Sequence, residues 1–133
     1  FFFHPHPPTP DPLWSRGLGD VYKRQELDAH TLYIIRRHGD LAHLYGEAPE
    51  ALQAARDGFT KQITWAEKRL EDKEYAVGDS FSGVDILLTS CLDWAHAYEF
   101  ELADNLNEYR AKLHERPAYK TAAALNFSVS AGA

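Results

Sequence analysis

The sequence predicts an all-α fold, a bundle of about five helices around a buried central helix that starts near Ser82. Three observations predict it. Apolar residues recur at spacings of three and four from Leu27 onward. No stretch alternates apolar and polar residues as a half-buried strand would. A sharply defined helix start lies at Ser82, and the helix that follows is apolar on nearly every side.

Residues 1–25 do not read as part of the bundle. Pro5, Pro7, Pro8, Pro10 and Pro12 crowd the start, and proline at that density favours extended chain over helix or central strand. Gly17 and Gly19 follow with no hydrophobic period. The segment reads as unstructured and resembles translated adapter or vector read-through, with a native disordered linker as the alternative. His4 and His6 are two imidazoles without a further ligand, a weak metal site.

The helical domain is read as residues 26–126. Leu27, Leu32, Ile34, Ile35, Leu41 and Leu44 define a first helix from Glu26 to Tyr45, loosened near Gly39. Pro49 sits well in the first turn of a second helix, because the amide it lacks has no partner there. Leu52, Ala55, Phe59, Ile63, Ala66 and Leu70 line one face of that helix, which ends near Glu71. Lys61, Lys68 and Arg69 fall on its solvated side.

In the central helix, Ser82 is the expected N-cap and Asp85 the third helical residue. The Ser82 hydroxyl would accept from the Asp85 amide, and the Asp85 carboxylate would accept from the Ser82 amide. Phe81 before the cap and Ile86 at the fourth helical position have the spacing of a hydrophobic staple. Asp85 is thus read as structural. The helix is expected to be buried all round, with Cys91 an inert core thiol and Trp94 a core residue rather than a ligand contact. Leu102, Leu106, Tyr109 and Leu113 mark a fourth helix. Pro117 then opens a short fifth one through Leu125, and residues 127–133 read as a frayed tail.

The bulk numbers exclude some function classes. In 133 residues the net charge is -6, which opposes nucleic acid and anionic membrane surfaces. Mean hydropathy is -0.46 and no apolar run nears the roughly 20 residues of a membrane span. Cys91 is the only cysteine, so the chain can form no internal disulfide, which suits a reducing, cytoplasmic setting. The chain starts at Phe1 and contains no Met, so it reads as a fragment, and no secretory leader is visible. His38 and His43 are five apart, not the four that would put two imidazoles on one helix face, so no metal site is expected.

Two segments carry a resemblance. One is Gly78, Asp79, Phe81, Ser82, Asp85 and Ile86, followed by Trp94 and Ala95. The other is Tyr109 with Arg116, Pro117, Ala118 and Tyr119. Together with the flanking helices they resemble the C-terminal domain of cytosolic glutathione transferases, over roughly residues 26–126. Val84 departs mildly from the small Ala usual before the capping Asp. Glu26 to His38 looks like the corresponding helix of bacterial members.

The resemblance implies a division of labour. Glutathione, the co-substrate of the intact protein, would be bound and activated by an N-terminal thioredoxin-like domain, which residues 1–25 could not form. No catalytic residue and no cofactor are therefore assigned to this chain, which is expected to be inactive alone. It would line the pocket for a small electrophile to be conjugated or reduced, and the intact protein would be a homodimer. The wall of that pocket would lie on the first helix. There His30, Tyr33 and Arg37 share a face at regular α-helical pitch, and Arg36 replaces Arg37 if the helix is slightly rotated. Tyr33 offers a ring and a hydroxyl, the arginines a cationic fork. Packing of Tyr33 against the next helix, with Arg37 in solvent or in an ion pair, is the competing structural reading. A non-catalytic interaction module of the same fold is the alternative function.

Overall fold

A computed structural model describes the backbone of residues 24–130 and the side chains of residues 26–126. The proline-rich segment, with His4 and His6, lies outside the described residues. All regular structure among the described residues is helical.

The first rod, α1, is continuous but unevenly wound. Arg24–Leu32 and Arg36–Asp40 are wide π-type turns on either side of a short α turn, Tyr33–Ile35. Leu27, Leu32 and Ile35 are buried, so the buried positions are spaced five and then three. The wide turn is what brings a five-residue spacing onto one side. Thr31 is buried beside them, and its hydroxyl donates to the Leu27 carbonyl at 2.5 Å. Loosening near Gly39 was expected, and the second wide turn contains it. A single turn, α2 (Ala42–Tyr45), follows.

Helix α3 (Pro49–Arg69) has the long amphipathic form expected, with Pro49 in its first turn. Ala55, Phe59, Ile63 and Ala66 are buried, as is Leu70 just beyond the helix, while Leu52 is half-buried. α1 lies against α3. At their contact a β-carbon added to Gly58 would sit 3.4 Å from the Thr31 methyl, so glycine permits the close approach.

Helix α4 (Gly83–Ala97) is the central one, in contact with both α1 and α5 (Asp104–His114). Val84, Leu88, Leu92 and Ala95 are almost wholly buried among Leu32, Phe59, Leu106, Tyr109 and Leu113. Burying a side chain of this size contributes about 1.5–3 kcal/mol. α5 carries the buried Leu106, Tyr109 and Leu113 as expected. The last helix, α6, spans Pro117–Ser130, longer than the short helix expected, because nothing in Asn126 to Ser130 breaks the backbone pattern.

Two expectations about α4 are corrected. It is not buried all round, since Gly83, Ile86, Ser90, His96 and Ala97 face outward. Ile86 remains 59% exposed, so it adds little burial to the staple. Phe81 does pack against the core, and its ring also carries the Arg116 guanidinium at 3.5 Å. The reason is layering: α1 and α5 pack against one side of α4, with Phe59 and Ile63 of α3 in the same core, and the residues on its other side stay exposed.

The C-terminal end of α4 is closed by backbone chemistry. The Phe100 amide donates to the Ala95 carbonyl at 2.9 Å and the Glu99 amide to the His96 carbonyl at 3.1 Å. This pair of bonds needs a left-handed residue between them, and Glu99 takes that role at φ 60° where glycine is usual. The closure returns Phe100 to the core, where its ring lies 4.5 Å from that of Phe59.

Candidate functional site

The capping pair at the start of α4 is a larger assembly than the sequence implied. Asp85 is fully buried. Its Oδ2 accepts the Ser82 amide at 2.7 Å and the Ser82 hydroxyl at 3.0 Å, and the reciprocal box is present. Its Oδ1 accepts the Ala76 amide at 2.8 Å and the Tyr109 hydroxyl at 2.6 Å. One carboxylate therefore ties the 71–81 connection, the helix start and α5 together. Burial, then the hydrogen bond to Asp85 and its charge, push the Tyr109 hydroxyl well above the ordinary tyrosine range.

A second carboxylate, Asp93, works two turns further along α4. Oδ1 takes Arg110 Nε at 2.5 Å and His114 Nε2 at 2.8 Å, and Oδ2 takes the Tyr119 hydroxyl at 2.9 Å. The His114 ring stacks on Tyr119 at 4.1 Å between centroids. The first turn of α6 is thereby fastened to α4 through Tyr119.

Trp94, next to Asp93, packs against the core and meets other partners. It is half-buried, with the Arg36 guanidinium 5.5 Å from its ring centroid. The Tyr98 ring meets Trp94 edge-on at 6.5 Å. The Tyr98 hydroxyl donates to Asp40 Oδ2 at 2.8 Å, joining the far ends of α1 and α4. Partial burial comes first, then the bond to Asp40 and its charge, in pushing this hydroxyl up to about 12, with Arg36 acting in the opposite direction. Behind it, Arg56 Nη1 donates to the Tyr98 carbonyl at 3.4 Å and lies over the Phe100 ring at 5.1 Å.

The four residues expected on the α1 wall do not act as one stripe. Arg36 is the one brought onto α4. Arg37 turns instead to the Tyr45 ring, 4.8 Å away, and His30 lies 3.9 Å from Glu26 of its own helix. Tyr33 is 49% exposed and so is not packed under the next helix. The expected face of His30, Tyr33 and Arg37 presumed regular α pitch, which α1 does not have. Sequence reasoning did not find Asp40, Arg56 and Phe100. The aromatic pair Trp94 and Tyr98, four apart, is the signal that could have found them, but Trp94 was expected to be a core residue; it is only half-buried, packed against the core beside Arg36.

Chemically, this face can hold a flat ring and an anion. Aromatic rings supply stacking surface, and guanidinium groups supply directed donors. Among the described residues no group of three or more His, Cys, Asp or Glu side chains is placed to hold a metal ion. No helix among them is long and apolar enough to cross a membrane.

The model of the glutathione S-transferase C-terminal domain matches residues 22–117. That match spans well over half of the chain, and it includes the helices α1 to α5 just described; the chain belongs to the glutathione S-transferase C-terminal domain family.

Proposed function

We propose that this chain forms the electrophile-side wall of a bacterial-type glutathione transferase, one that conjugates or reduces small electrophiles with glutathione. The observation that supports this most is the Arg36, Trp94 and Tyr98 cluster between α1 and α4 in a domain of this family. The wall on this reading includes Tyr33 and Arg36, with His30 and Arg37 at its margins. Glutathione is the co-substrate, activated as a thiolate by a thioredoxin-like domain of the whole protein, because the anion is the nucleophile. This chain binds no cofactor of its own, and the whole protein is a cytoplasmic homodimer. The electrophile is positioned by stacking and by the cation, and chemistry at sulfur is left to the other domain.

Amide chemical-shift mapping of the 133-residue chain with a neutral nitroaromatic tests this. Shifts should concentrate on α1 around Tyr33 and Arg36 and on α4 around Trp94 and Tyr98. Shifts confined to other elements, or none at millimolar ligand, overturn the assignment. The division of labour is tested separately. The chain mixed with glutathione and an aromatic halide should give no conjugate above the uncatalysed rate, and turnover by the chain alone would refute it.

A further inference from the structure

We propose that the face between α1 and α4 prefers planar aromatic ligands bearing an anionic group, with Arg36 taking the anion and Tyr98 keeping Arg36 available. The inference rests on the wall reading and adds the substrate class.

Arg36 and Asp40 are four residues apart, with the charges that would pair across one turn of a regular α-helix. They do not pair. The segment Arg36–Asp40 is wound wide, and the Leu41 amide closes it on the Arg36 carbonyl at 3.0 Å. A wide turn moves position i+4 out of line with i. The Asp40 carboxylate is taken instead by the Tyr98 hydroxyl at 2.8 Å. Among the described residues, no carboxylate lies within ion-pair distance of Arg36.

The guanidinium is nevertheless held in place. It lies over the Trp94 ring, 5.5 Å from the centroid, a cation–π contact that does not itself take up the group's N–H donors. Edge donors in a plane match a carboxylate bidentately. Arg56 does not compete for this role, because it is spent on the Tyr98 carbonyl and the Phe100 ring. Trp94 and Tyr98 beside the cation, with exposed Tyr33 three residues earlier on α1, offer surface to the ring that carries the anion. In a chain of net charge -6, a cation kept clear of its nearest carboxylate is a site that selects for anions.

The test compares two unreactive probes of equal shape, para-nitrobenzoate and para-nitrobenzamide, titrated into the whole chain by calorimetry and chemical-shift mapping. The benzoate should bind about tenfold more tightly. Arg36→Gln should abolish that difference, with the benzoate losing more affinity than the amide. Tyr98→Phe frees Asp40 to pair with Arg36, so benzoate binding should fall several-fold. Adding Asp40→Asn to Tyr98→Phe should restore it, a rescue that a purely structural role for Tyr98 would not give. Melting curves establish that each variant is folded. Equal binding of both probes at α1 and α4, unmoved by Arg36→Gln, overturns the inference and leaves the wall reading standing. Failure of both probes to bind there overturns the two together. A Tyr98→Phe variant with full benzoate preference overturns the role given to Tyr98.

Discussion

Asp85 and Asp93 stand eight residues apart on the same helix, and each gathers groups from other parts of the chain. They do so under different physical conditions. Asp85 is fully buried, and its partners are two amides and two hydroxyls, all neutral. Asp93 keeps about a quarter of its side chain in solvent and faces Arg110, His114 and Tyr119. Removing the first leaves several buried donors without acceptors, the costly case. Removing the second leaves donors that water can partly reach. The two carboxylates thus serve as a lock for the core and a clasp for the last helix. Between them they fix the orientation of α4, and with it the position of Trp94.

The largest expected effect is from Asp85→Ala. It should destabilise the chain by about 3–5 kcal/mol, combining cap loss with orphaned buried donors. Chemical denaturation measures it, and a loss no greater than that of Asp93→Ala would break the comparison. Tyr109→Phe, which removes one donor from Oδ1, should cost about 1.5–3 kcal/mol.

The same tyrosine sets an alkaline limit. Its folded pKa is raised above the ordinary value of 10 by burial and by Asp85. The stability it contributes is therefore fully present below that value and is lost as pH rises beyond it. The wild-type midpoint should fall more steeply above pH 10 than that of Tyr109→Phe, and parallel curves would contradict the assignment. Tyr98, raised to about 12 mainly by desolvation, acts in the same direction and remains in both proteins.

Asp93→Ala should cost about 1–2 kcal/mol, between the values for exposed and buried ion pairs. Its clearer signature is local: amide exchange should accelerate in α6 while α3 stays protected. High salt should weaken the Asp93 clasp and leave the Asp85 lock unchanged, since screening acts on accessible charges. The smallest effect is at the other end of α4. Glu99→Gly relieves a left-handed residue at φ 60° and should stabilise by about 0.5–1 kcal/mol, read as a raised melting temperature.

Much of this was legible from local spacing. Ser82 and Asp85 are three apart, so their box could be anticipated without knowing the fold. The apolar face of α3 was likewise visible, because a regular helix turns sequence period into burial. Tyr109 was legible only as one member of an apolar stripe. That its hydroxyl ends on Asp85, 24 residues earlier, depends on how α5 lies across α4. The candidate site was less legible for the same reason. Arg36 and Arg37 are adjacent and alike, and the choice between them rests on the winding of α1.

What the sequence alone determined is the helical class, the order of the helices, the capped start of α4 and the family resemblance. All of these follow from periodicity and short-range spacing. Tertiary structure decided which carboxylate accepts from which helix, that α4 keeps one side open, and that Arg36 meets Trp94 while Asp40 turns to Tyr98. These outcomes depend on the wide turns of α1 and on contacts between residues far apart in the chain, where local spacing carries no information.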